Sequence, residues 1–323
     1  MVKPTLRHFE RAAQEVAAHG DNDTLPFDLD TRFCRDNSSG LAQIAFGFYQ
    51  ELKNGPEKEN KQRISALDIY SERLIAPSGP AGFRVVTKIS SFWNIYLNGL
   101  AIAIAEVLEP RRSATAYSYR FDSADGIKLF KTDSSWRVFK EATVEHANTR
   151  GEEAVVVQTD ISSFYEHVSH HYIENFINEL GGDGKQVALQ ITALLGKFSS
   201  GRSFGLPVGG QASRVLAELF LNQIDSALSA NEISWHRYVD DYVLISSGTT
   251  DAYRDLSKLA QCLMDYGVSL NKGKTAFLSS GHYEDYVRAQ LGLDEDEGSK
   301  LRAIDLKFDP YSDTPEEDYE SLK

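Results

Sequence analysis

Apolar and polar positions alternate with several different periods along the chain, and each change of period marks an element. FERAAQEVAA places its apolar residues on one helical face, and LAQIAFGFYQEL offers a second helix within residues 1–50. KNGPEKENKQR (53–63) has charge, Gly and Pro but no apolar stripe, and is expected to be a linker or loop. IAPSGPAG (75–82) is a turn leading into FRVVTKI, an alternating strand. NIYLNGLAIAIAEVLE is apolar all round, as a buried helix is, and AYSYRF follows as a short extended piece.

From residue 151 the pattern sharpens. AVVVQTD (154–160) is a β-branched run ending in an acid, a buried strand. Ser169 is placed to cap a helix carrying Tyr172, Phe176, Ile177 and Leu180 on one face. GLPVGG (205–210) is a glycine-rich turn opening a strong helix with Val215, Leu216, Leu219, Phe220, Ile224 and Leu228. WHRYV and YVLIS read as paired strands, 251–266 as a helix stopped by Gly267, and GVSLN and KTAFLSS as closing strands. Setting the glycine-led helix aside leaves a βαββαβ order, which predicts an α+β fold: an antiparallel sheet with helices on one face.

Composition sets bounds on this outline. The chain has 323 residues, enough for two or three subdomains, and its 41% apolar and 25% charged residues are those of a globular protein. The N-terminus lacks the apolar core of a signal peptide, and LNGLAIAIAEVL is too short and interrupted to span a bilayer. Cys34 and Cys262 lie far apart without metal-ligand spacing, so a cytoplasmic location and no membrane partner are expected. The net charge of −13 opposes a nucleic-acid partner at first sight. Yet 13 acidic and 5 basic residues fall in 284–323, leaving 34 acidic and 29 basic residues in the rest, which can still present a basic groove.

Asp240 and Asp241 sit side by side between two apolar strands, and a third strand ends at Asp160. A lone Asp-Asp pair is commonly a solvated turn. Carboxylates converging on one sheet edge instead repel unless a cation neutralises them. Hard oxygen ligands completed by water and substrate phosphates describe a Mg²⁺ site. Two such ions about 4 Å apart clamp the attacking and leaving oxygens of a phosphoryl transfer.

QTDISSFY, GLPVGGQAS, RYVDDYVLI and LNKGKT, in this order and spacing, resemble the successive palm motifs of reverse transcriptases, and FRVVTK and AYSYRF resemble the fingers motifs. The resemblance covers roughly residues 70–281. It implies a right-hand polymerase with a helical N-terminal extension (1–66), fingers (67–150), a palm (151–283) and an acidic tail or truncated thumb (284–323). Asp160 and Asp240 match the main metal-binding carboxylates with the Ile161 carbonyl nearby, and Asp241 matches the second, more peripheral acid. Tyr165 matches the residue under the incoming sugar, where a ring excludes a 2′-hydroxyl; a core aromatic is the plain alternative. Val208 stands where many relatives carry glutamine, so a nucleotide contact is absent or supplied elsewhere. Gly209 lets backbone approach substrate. Arg84 matches the fingers arginine that pairs with triphosphate, and Lys88 belongs to the same patch. Lys274 matches the late-palm lysine that donates a proton to pyrophosphate, although solvated surface lysines fit Lys88 and Lys274 equally. His167, His170 and His171 read as a helix start.

The implied cofactor is Mg²⁺, two ions, with Mn²⁺ as a substitute. The implied partners are deoxynucleoside triphosphates, an RNA template or non-coding RNA, and the DNA product. Arg214 after Ser213, and the words SSFY, SYR and ASR-LAE, resemble the abortive-infection and other defence-associated bacterial branch. Relatives there carry a helical C-terminal domain and oligomerise, whereas here only 42 residues follow Gly281. A fragment with the thumb missing or minimal is therefore expected, its primer grip supplied by a partner or a homo-oligomer. The alternatives are a palm-type nucleotide cyclase, and an RNA-binding or assembly module with little catalysis.

Overall fold

The computed structural model describes residues 1–20, 30–77, 82–124, 126 and 128–293. They cluster in two units that cut across the linear order of the motifs. The first holds Met1–Arg112, Phe121–Lys131 and Ser163–Asn222; the second holds Ser113–Arg120, Thr132–Ser162 and the chain from Gln223 onward. Residues 132–150 group with the strand ending at Asp160.

In the first unit the apolar face of FERAAQEVAA lies in helix α1 (Leu6–His19), which packs on α2 (Asp30–Asn54) and α4 (Ser91–Leu108). Phe9, fully buried, sits among Phe46, Tyr49 and Tyr96. Gly99 on α4 makes this possible, because a Cβ there would lie 2.5 Å from Phe9 Cδ1. The span Ser91–Arg111 is long and apolar enough to cross a membrane, and most of it is buried inside the fold.

KNGPEKENKQR departs from expectation: helix α3 (Glu57–Ala66) occupies most of it. The buried Asn60 explains the helix, since its amide donates to the carbonyls of Leu52 and Gly55 and fastens α3 to the end of α2. Strands β1 (Ser71–Pro77) and β2 (Phe83–Ile89) form an antiparallel hairpin, Arg73 opposite Thr87 and Ala76 opposite Arg84. After the short α6 (Phe164–His167), helix α7 (His170–Glu179) starts at Ser169, but the Ser169 side chain caps nothing. Helix α8 (Gly184–Phe198) has no counterpart in the sequence reading; it buries Val187, Ile191, Leu194, Leu195 and Phe198 at helical spacing. Helix α9 (Gln211–Ala230) follows the glycine turn, in the first unit to Asn222 and in the second from Gln223.

The second unit contains α5 (Trp136–Arg150), β3 (Val155–Asp160), β4 (Trp235–Tyr238), β5 (Asp241–Ser246), α10 (Thr249–Asp265), β6 (Ala276–Ser279) and α11 (Ser280–Gln290). The strands make one antiparallel sheet in the order β4-β5-β3-β6. GVSLN contributes a single bridge, Leu270 to Ile161, rather than a strand. The expected helices on one face are corrected to helices on both. Register puts Phe277, Val157, Leu244 and Trp235 on the same face. There Tyr253 of α10 stacks on Phe277, and Trp235 donates to Ser229 of α9. His236 and Tyr238 point to the opposite face and meet His146 and Phe139 of α5, and Tyr283 of α11 bonds Thr143 of α5. Both faces of the sheet therefore need apolar positions, which is why Val155–Val157 and Tyr242–Ile245 are continuous runs rather than alternating ones. Helix α11 runs into the segment 284–323, expected as an acidic tail or the start of a truncated thumb; residues 294–323 of it lie outside the described residues.

Replacing Gly99 by Ala forces a methyl against the Phe9 ring. Urea unfolding of Gly99→Ala is expected to show a loss of about 1–3 kcal/mol, the cost of overpacking a filled core. Unchanged stability would mean that Phe9 is not held against α4.

Candidate active site

Two of the candidate acids are set by strand register. Asp160, the last residue of β3, pairs with Asp241, the first residue of β5, so both side chains leave the same face of the sheet. Tyr238 pairs with Asp241 across the β4–β5 hairpin, leaving Val239 and Asp240 as a two-residue turn. Such turns need positive φ at their first position, usually supplied by Gly or Asn. Here Val239 supplies it, with φ 53°. The N–H of Ile161 donates to the Asp240 carbonyl at 3.2 Å, and the N–H of Asn271 to the Asp160 carbonyl at 2.8 Å. Backbone bonds thus gather Asp160, Ile161, Asp240 and Asp241 at one sheet edge.

The electrostatics follow from crowding. Asp240 is pushed up to about 7, by burial first and then by Asp241 and Asp160, with its own backbone hydrogen bond and Lys274 opposing. Asp241 is also raised, mainly by burial, while Lys140 and Lys274 pull it down and Asp160 pushes it up. Lys274 Nζ donates to Asp160 Oδ2 at 2.7 Å, and this bond raises the lysine above its ordinary range. On the other side of the site Lys140 of α5 is 3% exposed, its ammonium 5.3 Å from the Trp136 ring centre and 5.7 Å from that of Tyr283. Burial lowers Lys140 to about 8 against the pull of Asp241.

The donor set fits Mg²⁺. Asp160 Oδ1 is buried and accepts no hydrogen bond, a costly state for a carboxylate oxygen. Beside it stand two more carboxylates of raised proton affinity. Among the described residues no three His, Cys, Asp or Glu side chains form a cage for an ion. Mg²⁺ needs no such cage, because it keeps several waters and binds through one or two carboxylates plus substrate phosphates.

The remaining candidates lie in the first unit. Arg84 and Lys88 occupy β2 and are both partly exposed. The N–H of Thr87 donates to the Val208 carbonyl at 3.1 Å, which straps the glycine loop to this strand. The Leu206 N–H donates to the Tyr165 carbonyl at 2.7 Å, and Gly205, with φ 95°, brings the loop backbone against α6. Tyr165 packs edge-on against the buried Phe164. Gly209 has φ 114°, a conformation that suits glycine. A pocket of about 190 Å³ is lined here by Arg73, Thr87, Glu166, Arg202, Leu206 and Val208. His170 bonds the Gly205 carbonyl and His167 the Ser163 carbonyl, so these histidines serve the local backbone.

The profile of the reverse transcriptase (RNA-dependent DNA polymerase) family matches residues 89–300, more than half of the chain. The chain belongs to the reverse transcriptase family. No curated protein matches it. Family membership implies nucleotidyl transfer with nucleotide substrates and a nucleic-acid template, and reverse transcriptase domains generally use Mg²⁺. The match takes in the sheet, the β4–β5 hairpin and the glycine loop, and begins at the last residue of β2.

Sequence reasoning missed four residues of this reverse transcriptase domain: Lys140, Ser118, Asp225 and Arg237. Lys140 carries a signal in retrospect, since it lies next to Phe139 and one turn from Thr143 on the buried face of α5. Arg237 stands in a strand whose four residues are all buried, and an arginine there must find a buried partner.

A carboxyl raised in the folded state favours the protonated form, so its contribution to stability falls as pH rises through the folded value. In metal-free protein Asp240→Asn is therefore expected to be neutral near pH 4 and stabilising by about 1–3 kcal/mol at pH 8. Thermal melts across pH 4–8 with a chelator measure it. A variant less stable than wild type at pH 8 would show that Asp240 is not under electrostatic stress.

Proposed function

We propose that the chain is a DNA polymerase that adds deoxynucleotides by two-metal phosphoryl transfer, with an RNA template or without one, in anti-phage defence. The observation that carries it is the trio Asp160, Asp240 and Asp241 at one sheet edge, with a buried Asp160 Oδ1 that accepts no hydrogen bond. The defence setting rests on the SSFY, SYR and ASR-LAE words alone.

In this reading Asp160 and Asp240 hold Mg²⁺, with the Ile161 carbonyl beside them and Asp241 in support. The bound ions would neutralise the phosphates and stabilise the attacking and leaving oxygens. Lys274, hydrogen-bonded to Asp160, supplies a mobile positive charge and a proton donor at the same edge. Arg84 offers a planar fork for triphosphate oxygens, with Lys88 on the same strand face. Tyr165 stands under the sugar and rejects a 2′-hydroxyl. The Gly209 backbone admits substrate closely, and Val208 acts through its carbonyl, which already bonds β2.

Purified protein with Mg²⁺ and its co-purifying RNA is expected to incorporate dNTPs, and Asp160→Ala and Asp240→Ala are expected to reduce incorporation by about 10³-fold or more, since charge neutralisation supplies most of the catalysis. Equal absence of incorporation by wild type and Asp240→Ala, with the native RNA present, overturns the reading. Discrimination at the sugar is tested separately. Tyr165→Ala is expected to raise the ratio of rNTP to dNTP incorporation by about 10- to 100-fold, and an unchanged ratio removes Tyr165 from the sugar site.

A further inference from the structure

The turn that aims Asp240 is held in a conformation its own sequence disfavours. Val239 is β-branched and has φ 53°, in the left-handed region that valine avoids. Both of its backbone polar groups are tied to side chains. The Val239 N–H donates to Ser118 Oγ at 2.8 Å, and Arg237 Nη1 donates to the Val239 carbonyl at 2.9 Å. Ser118 is 1% exposed and Arg237 is fully buried, so neither bond is traded with solvent.

Each clamp is itself anchored. Arg237 Nε and Nη2 grip Asp225 of α9 with distances of 3.0 and 2.7 Å, and the Tyr242 hydroxyl donates to the same carboxylate at 2.8 Å. The 113–120 segment runs beside β4: Arg237 N–H donates to the Thr115 carbonyl at 2.8 Å and Tyr117 N–H to the Arg237 carbonyl at 2.9 Å. Arg120 closes this segment by donating to the carbonyls of Ser113 at 2.7 Å and Ala116 at 3.1 Å. Within SYR, Ser118 bonds the turn, Tyr119 turns the chain with φ 47°, and Arg120 fixes the loop.

We propose that Ser118 and Arg237 are positioning residues that hold Val239 in its strained conformation and thereby place the Asp240 carboxylate for cation binding. Neither residue is proposed to contact substrate. The chemistry of the site rests on the polymerase reading above, but the clamp can be read without turnover, through Mn²⁺ binding.

The test is a double-mutant cycle on the full chain, using Ser118→Ala, Val239→Gly and the pair. Mn²⁺ affinity is measured by electron paramagnetic resonance, with melting temperature and dNTP kinetics alongside. Ser118→Ala alone is expected to weaken Mn²⁺ binding and lower kcat by about 10- to 100-fold, the usual range for residues that orient a metal ligand, with KM for dNTP little changed. Glycine adopts positive φ without help. In the Val239→Gly background the Ser118→Ala loss is therefore expected to shrink to about 3-fold or less. Equal losses in both backgrounds overturn the proposal, as does a Ser118→Ala protein with lowered melting temperature but wild-type Mn²⁺ affinity. Because Arg237 variants risk misfolding, Arg237→Lys is compared only if it melts cooperatively, and wild-type affinity there also overturns the proposal. Wild type that binds Mn²⁺ through Asp240 but incorporates no dNTP sinks the polymerase reading and leaves the clamp to be judged by the cycle. Mn²⁺ binding indifferent to Asp240→Ala overturns both.

Discussion

Like charges held within one sheet edge are the constraint on which the second unit depends. Asp160 and Asp241 face each other across two paired strands, and Asp240 occupies the turn beside them. Strands bearing this repulsion would slip or fray unless the rest of their length fixed the register. Five further pairs do so, from Val155 opposite Ser246 to Thr159 opposite Tyr242, all of them partly or fully buried. Helices on both faces resist slippage, because a one-residue slip of β3 or β5 would turn that strand's acid to the α10 side of the sheet.

The same logic explains why so much buried polarity surrounds the turn. A buried ion pair such as Arg237 with Asp225 contributes little to stability against an apolar alternative of equal volume. It can define geometry, however, and here every arm of the guanidinium has a stated acceptor: two on Asp225 and one on the Val239 carbonyl. Strain at Val239 costs of the order of 1–3 kcal/mol and persists only where surrounding bonds over-determine it. The segment 113–120 supplies the second such bond from a distant part of the chain, so the hairpin tip is fixed by tertiary contacts rather than by turn propensity.

Much of this was legible in the sequence, and the failures have local causes. The apolar runs AVVVQTD, WHRYV, YVLIS and KTAFLSS mark β3, β4, β5 and β6, whereas GVSLN, also expected as a strand, makes only one bridge through Leu270. Helix α3 was hidden because its stabilising residue, Asn60, acts by a side chain bonding back to α2, which hydrophobic periodicity cannot register. Helix α8 was passed over although Val187, Ile191 and Leu194 carry a plain helical period. Ser169 had the right residue type and position for a cap, but its side chain makes no capping bond. Asp160, Asp240 and Asp241 stand out in the sequence because a carboxylate's chemistry is written in residue type. Ser118 does not, since its role depends on a φ value at residue 239 that no composition reveals.

The two lysines at the site act differently on the acids. Lys140 is buried among aromatic rings, and its attraction to Asp241 is a fixed property of the fold. Lys274 has a side chain 68% exposed, so its ammonium can leave Asp160 and regain water at small cost. Asp241 thus carries an internal counter-charge that cannot be exchanged, whereas Asp160 carries one that can. At Asp240, burial and the neighbouring Asp241 and Asp160 outweigh the pull of Lys274, so its proton affinity is raised.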